Sequence, residues 1–263
     1  MLNYPQIDPV AIAIGPLKIR WYGISYIVGI LLAWWLLRLK ADKKPEIDWN
    51  NDQIADLVFY ATIGIIIGGR LGSVLFYNLP YYLDHPLDVI KIWQGGMSFH
   101  GGLLGVLIAI WLYSRSIGKH FFDSADFVAP VIPVGLFFGR IANFINGELW
   151  GRPTDVAWGM VFPHVDQLVR HPSQLYQAML EGVLLFVILW CYSSQQRPRM
   201  AVSGLFLTGY GLFRFLVEFA REPDRQIGYI AFDWLTMGQL LSLPMFIIGI
   251  ILFWMAYRDR SVK

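Results

Sequence analysis

Apolar runs of membrane-spanning length follow one another along the whole chain, parted by short polar segments. The pattern predicts seven transmembrane helices, over residues 19–37, 55–77, 97–114, 124–146, 174–192, 201–219 and 236–257. The segments after the first, third, fifth and seventh stretch hold RLKADKK, SRSIGKH, QQRPR and RDRSVK, with eleven Lys or Arg. The N-terminal segment and the loops after the second, fourth and sixth stretch carry seven, spread over more residues. By the positive-inside rule the N-terminus lies outside and the C-terminus in the cytoplasm. Trp21, Tyr22, Tyr77, Trp93 and Trp150 fall at the outer level, and Trp34, Trp35, Trp111, Trp190 and Trp254 at the inner one, as interfacial aromatics do. In the second stretch Gly64, Gly68 and Gly72 recur every four residues, a stripe on which another helix can pack closely.

Polar residues break these stretches in a pattern of their own. Arg70, Arg140 and Arg214 lie inside them, where a cation costs about 2.5–3.5 kcal/mol on insertion scales, so each asks for a partner or a task. In the predicted topology all three sit in the outer half of the bilayer, with Tyr22, His100, Gln174 and Glu181 at the same depth. Helical spacing puts Tyr210, Arg214 and Glu218 on one stripe, Arg140 and Asn143 on one face, and Gln174, Gln177 and Glu181 on another. The stretch GRIANFINGELWGR, residues 139–152, adds Asn146 and Glu148. Arg214 and Glu218 alone would read equally well as a pair that neutralises itself while reaching for the interface. Three arginines, a histidine and several amides at one level ask for more. Arginines short of carboxylates favour an anion, and the planar guanidinium fork suits phosphate. In an outer leaflet those phosphates belong to lipid head groups.

Composition narrows the class. With 56% hydrophobic and 15% charged residues, the chain is far more apolar than a soluble domain requires. The net charge of +2 is dispersed at span ends, so no nucleic-acid partner is expected. The N-terminus lacks a basic region and a small-residue cleavage site, and no cleaved signal peptide is expected. Cys191, the single cysteine, excludes an internal disulfide or a CxxC pair and reads as an apolar residue, buried or interfacial. His85, His100, His120, His164 and His171 show no metal-ligand spacing, and no Walker or dinucleotide motif occurs, so neither metal nor cofactor is expected. Asp123 and Asp126 read as carboxylates at the start of the fourth helix.

Around GRIANFINGELWGR the sequence resembles the bacterial phosphatidylglycerol–prolipoprotein diacylglyceryl transferases. WYGISYIVG, GGRLGSVLFYN, GGMSFHGGL, RHPSQLYQ, GYGLFRFLVEFAREPD and MGQLLSLPM resemble further blocks of that family in the same order, so the likeness spans essentially the whole chain. It implies an all-α, polytopic integral membrane protein of about seven transmembrane helices, N-terminus periplasmic and C-terminus cytoplasmic, in the bacterial cytoplasmic membrane. It implies a single transmembrane catalytic domain over 1–263, with the 147–172 periplasmic loop as a candidate substrate cover. The implied activity moves the diacylglyceryl group of phosphatidylglycerol to the lipobox cysteine thiol beside the signal peptide of a prolipoprotein. Glycerol phosphate leaves, and the site faces the periplasm. Partners are thus phosphatidylglycerol, membrane lipid and the prolipoprotein signal peptide. The resemblance implies functional positions at Tyr22, His100, Arg140, Asn143, Glu148, Gly151, Tyr210, Arg214 and Glu218, with Arg140 contacting the lipid head group. The 151–170 stretch is shorter than in many relatives.

The chemistry needs a deprotonated thiol, a carbon held in line, and a dry site that stabilises the departing phosphate. Arg140 and Arg214 are the expected phosphate ligands, with Asn143 and Asn146 orienting its oxygens and Glu218 holding Arg214. Glu148 either fixes an arginine or contacts the glycerol head, and Arg70 either binds the head group or anchors its helix. His100 is the candidate base, or else a structural residue capping its helix. A lipid or organic-anion transporter would also use intramembrane arginines, although transporters commonly place their site at the midplane between repeated halves.

Overall fold

The computed structural model describes residues 2–15, 17–223 and 228–258. Residues 224–227, which include the end of the VEFAREPD block, and 259–263, most of the basic tail, lie outside the described residues. The chain divides into two compact units, Trp34–Ala125 and Met1–Ala33 with Asp126–Lys263. Helix α1 (Trp21–Lys43) starts in the larger unit and ends in the smaller one.

The smaller unit is built on α2 (Asn51–Phe76), the short α3 (Leu79–Asp84) and α4 (Phe99–Ser116). Asn50 and Gln53 open α2 with a reciprocal capping box. The glycine stripe of α2 then meets Gly101 and Gly105 of α4 backbone to backbone. A Cβ at Gly64 would stand 2.6 Å from the Gly105 carbonyl oxygen, one at Gly72 would stand 2.8 Å from Gly101 Cα, and one at Gly68 would run into the Gly101 carbonyl. Only glycine allows this approach, which is the close packing that the spacing predicts.

Helix α5 (Phe121–Val128) starts in the smaller unit and ends in the larger one, where it passes through a 3-10 turn at Ala129–Val131 into α6 (Ile132–Ile145), with Pro130 and Pro133 at the junction. Helix α7 (Ser173–Gln177) runs through a π-helical segment, Ala178–Leu184, into α8 (Leu185–Tyr192). Helices α9 (Ala201–Val217) and α10 (Met237–Arg258) pack closely through Gly204, Gly211 and Gly249. The core gathers Ala129, Leu185, Leu189, Val202 and Tyr210. Asp126 does not cap its own helix. Its carboxylate accepts from the backbone N–H of Met200 and of Ser203, both at 2.7 Å, so it caps α9. Asp123 does serve locally, accepting from the His120 N–H at 3.1 Å. Cys191 is exposed on α8 rather than buried.

Five stretches are long and apolar enough to cross a membrane: Trp21–Lys43, Asn51–Phe76, Phe121–Ile145, Ser173–Tyr192 and Met237–Arg258. Helices α4, with 18 residues, and α9, with 17, stand at the other two apolar stretches of the sequence. Leu31, Ile67, Ile108 and Ile251 face outward from their helices, as lipid-facing residues do. The protein is a mostly helical integral membrane protein, with short strands that hydropathy does not reveal. Strands β1 (Leu2–Asn3), β2 (Val10–Ile14) and β3 (Leu17–Arg20) precede α1, and β4 (Met160–Val161), β5 (Val169–Arg170), β6 (Tyr229–Ala231) and β7 (Leu235–Thr236) lie between helices. β1 pairs parallel to β4 and β5 pairs antiparallel to it, while β2–β3 and β6–β7 are hairpins.

Candidate active site

The polar cluster of the larger unit begins where α6 ends. Gly147 (φ 67°) and Leu149 (φ 58°) take left-handed backbone conformations and reverse the chain. The Tyr4 hydroxyl donates to the Phe144 and Ile145 carbonyls, 2.7 Å from each, and His164 Nε2 lies 2.8 Å from the Gly147 carbonyl. The helix end is thereby satisfied by residues remote in sequence. The reversal returns Glu148 onto the helix. Its backbone N–H donates to the Asn143 carbonyl at 2.9 Å, and its carboxylate accepts from Asn143 Nδ2 at 3.3 Å and Asn146 Nδ2 at 3.2 Å. Both asparagines thus hold Glu148. No arginine contact to Glu148 is formed among the described residues.

Arg140, one turn earlier on α6, reaches another element. Its Nη2 donates to Glu181 Oε2 at 3.3 Å, and the Glu181 side chain is fully buried. Glu181 sits in the π-helical segment, an uncommon geometry that is frequent at functional sites. Gly182 beside it lets α6 close in: a Cβ there would stand 2.7 Å from Phe137 Cβ. Gln177 Nε2 donates to the other Glu181 oxygen at 3.4 Å, so the predicted Gln177 and Glu181 face exists.

On α9, Arg214 Nη1 meets Glu218 Oε2 at 2.9 Å, and Arg221 Nη1 meets Glu218 Oε1 at 3.3 Å. One buried carboxylate is shared by two guanidiniums. Gly238 at the start of α10 makes room, since a Cβ there would stand 2.6 Å from the Glu218 carboxyl carbon. The Tyr210 phenol, one turn back on α9, lies within electrostatic reach of Glu181, Arg140 and Arg214 together. Tyr22 of α1 is a neighbour of Arg140 too, and its ring stands 5.2 Å from that of Tyr26. Arg140, Arg214, Tyr210 and Tyr22 therefore gather from three helices. The expectation that these arginines are short of carboxylates is corrected: Glu218 pairs with Arg214, and Glu181 pairs with Arg140.

Gly151 is a crossing point. Its N–H donates to the His171 carbonyl at 2.9 Å, and a Cβ would stand 2.6 Å from the Ala220 carbonyl oxygen. Arg170 locks the same place, donating to the Gly151 carbonyl at 3.0 Å while pairing with Asp166 at 2.6 Å and Glu222 at 3.1 Å. Arg152 donates to the Arg221 and Glu218 carbonyls, at 2.8 and 3.2 Å. The 147–172 segment is thus tied to the turn after α9. Beside Gly151, burial pushes the His171 imidazole below its usual range, with nearby Asp155 opposing.

Arg70 and His100 belong to the smaller unit. Arg70 is buried, and its three nitrogens donate to five backbone carbonyls: Val89 (2.7 Å), Gly95 (2.5 Å), Gly96 (3.1 Å), Asp88 (2.5 Å) and Lys91 (3.3 Å). Tyr82 stacks its ring beneath the guanidinium, 5.2 Å away. Of the two roles open for Arg70, this geometry favours anchoring. His100 is exposed at the second position of α4, and the cap of that helix is Ser98, whose hydroxyl accepts from the Gly101 N–H at 3.2 Å. A capping role for His100 is thereby excluded.

Sequence reasoning missed Glu181 as the partner of Arg140, and Arg170, Arg152 and Arg221 as the ties of Gly151 and Glu218. Glu181 could have been found as the one carboxylate on the Gln174–Gln177 face. The others lie outside the apolar stretches, where a charge needs no partner.

The match to known proteins covers the whole architecture. Residues 9–255 match the family model of prolipoprotein diacylglyceryl transferase. The chain is 58% identical over 261 residues to the phosphatidylglycerol–prolipoprotein diacylglyceryl transferase of Methylococcus capsulatus, covering 99% of this chain and 100% of that one. The enzyme of that name from Azotobacter vinelandii is 60% identical over 263 residues, covering 99% and 98% of the two chains. That of Legionella pneumophila (strain Lens) is 56% identical over 254 residues, covering 97% and 99%. The chain belongs to the prolipoprotein diacylglyceryl transferase family.

Proposed function

We propose that this protein transfers the diacylglyceryl group of phosphatidylglycerol to the lipobox cysteine thiol of prolipoproteins, the first step of lipoprotein maturation. Family membership supports the reaction class. The observation that carries the chemistry is the meeting of Arg140 from α6 and Arg214 from α9 around the Tyr210 phenol, each guanidinium braced by a buried carboxylate. Two guanidiniums brought to one place suit a phosphate, whose oxygens match their planar forks.

In the reaction the substrate thiolate attacks the terminal glycerol carbon of the diacylglyceryl group. A carbon–sulfur bond forms as the carbon–oxygen bond to phosphate breaks. The electron pair stays on the departing glycerol phosphate, and the thiol proton passes to a base. Arg140 and Arg214 hold the phosphodiester and stabilise its growing charge, with Tyr22 and Tyr210 at their side. Glu218 and Glu181 aim the guanidiniums. Asn143 and Asn146 orient phosphate oxygens while fixing Glu148 toward the glycerol head. His100 is the proposed base, exposed and free of a capping duty. Gly151 fixes the 147–172 segment that covers the peptide. In this reading the chain acts as one catalytic domain in the bacterial cytoplasmic membrane, with seven spans, the N-terminus periplasmic, the C-terminus cytoplasmic and the site facing the periplasm. No metal or cofactor takes part.

The test is purified protein with phosphatidylglycerol and a lipobox peptide, read by mass spectrometry. The peptide should gain one diacylglyceryl unit. An unmodified peptide, or lipid movement without a covalent product, would overturn the proposal.

A further inference from the structure

Two amides beside Arg140 have an unsatisfied half. Gln174 and Gln177 are both fully buried, three residues apart on α7 and so on one face of it. Gln174 Nε2 donates to the Glu148 carbonyl at 2.6 Å, and Gln177 Nε2 donates to Glu181 Oε1 at 3.4 Å. Carbonyl and carboxylate oxygens only accept, so both NH2 groups are committed and the orientation of each amide is set by its partner. Each Oε1 is then left over, and neither has a hydrogen-bond partner among the described residues. A buried acceptor without a donor is costly, and native interiors rarely keep one, still less two on one helical face. The pair calls for a ligand that brings its own donors.

We infer that Gln174 and Gln177 are specificity residues whose side-chain oxygens accept hydrogen bonds from head-group hydroxyls of the donor lipid. The inference rests on the proposed function and deepens it. Gln177 touches Glu181, which pairs with Arg140, so a phosphodiester held by Arg140 places its outer substituent beside these amides. A glycerol head offers hydroxyl donors. A choline head has none to give. A site built to bond a hydroxyl also rejects an analogue that lacks it, because its acceptors stay unpaired.

The experiment compares two donors, phosphatidylglycerol and phosphatidylpropanol, which has the same phosphodiester and no hydroxyl. The full-length protein, wild type, Gln177→Met and Gln174→Met, is assayed with a lipobox peptide, and kcat/KM is read for each donor. Wild type should favour phosphatidylglycerol by about 10-fold to 100-fold or more. Each variant should bring the ratio toward one, chiefly by losing rate with phosphatidylglycerol. The ratio is internal to each preparation, so partial misfolding cancels. If Gln174→Met fails to fold for want of its Glu148 bond, Gln177→Met carries the comparison, and wild type tests the preference without any variant. A wild type indifferent to the two donors, or variants slowed equally with both, would overturn the inference while leaving the transferase reading intact. A wild type that modifies no peptide at all would overturn that reading itself.

Discussion

Arg70 and Arg140 both stand on apolar helices, yet their surroundings differ in kind. Arg70 has its three guanidinium nitrogens bound to five backbone carbonyls of the segment after α2, and Tyr82 covers it. Neutral carbonyls satisfy the donors without cancelling the charge, and they leave no edge free for a ligand. Arg140 instead meets one carboxylate at 3.3 Å, in a neighbourhood of phenols and half-satisfied amides. A guanidinium saturated by main chain holds a fold together, whereas one held by side chains, here Glu181 and Tyr210, is kept in place for something else. An intramembrane arginine therefore declares its task by what fills its five donors, not by its depth.

The widest separation between the two should come from activity. Arg140→Lys and Arg140→Ala should both lose about 100-fold or more in diacylglyceryl transfer, because lysine supplies a point charge without the bidentate fork. A lysine variant near wild type would remove the bidentate claim. Arg70→Gln should leave the turnover of folded protein almost unchanged and lower thermal stability in detergent. Losing charge-assisted bonds to buried carbonyls costs about 2–3 kcal/mol in all. Lost activity with unchanged stability would merge the two arginines into one class and undo the comparison.

Glu181→Gln sharpens it further. The substitution keeps an acceptor for Arg140 and removes the negative charge, so the guanidinium stays aimed but its charge is uncompensated. Phosphatidylglycerol should then bind tighter and turn over about 10-fold more slowly, since ground-state attraction rises while the leaving phosphate is held. KM and kcat measured separately would test this. A fall in kcat with KM unchanged would mean that Glu181 does not balance the charge that the lipid meets.

Hydropathy made most of the fold legible, because lipid contact forces long apolar runs with polar ends. The differences lie where other forces rule. Helix α1 runs on to Lys43, since polar residues extend a helix as readily as apolar ones, and α2 starts at Asn51 because Asn50 and Gln53 cap it. The strands are 2–5 residues long, too short for an alternation to stand out. Within the site, Arg214 and Glu218 were readable as an i,i+4 pair on one helix. Arg140 and Glu181 were not, because they come from different helices and a π-helical segment changes which residues face α6. The partners of Arg70 were invisible for another reason: a backbone carbonyl leaves no trace in the sequence.

The smallest effect belongs to His171, on the edge of the Arg140 region and outside the membrane-spanning segments. Its carbonyl holds Gly151 at 2.9 Å, and its ring lies 3.1 Å from the Tyr176 hydroxyl, so it is positioned by neutral partners. Burial lowers its folded-state pKa, so as pH falls through the ordinary histidine range the unfolded chain takes up the proton first. The stability tied to this residue is complete above the unfolded value, near 6.5, and declines as pH drops toward the folded value. His171→Gln can keep the bond to Tyr176 and cannot titrate. Its unfolding midpoint between pH 8 and pH 5 should therefore fall less steeply than that of wild type, by about 1 °C. Identical slopes would mean that His171 takes up its proton equally readily in the folded and the unfolded chain. The Arg70 region supplies the control: Arg70→Gln should lower the midpoint at every pH by the same amount, since nothing that it binds there titrates.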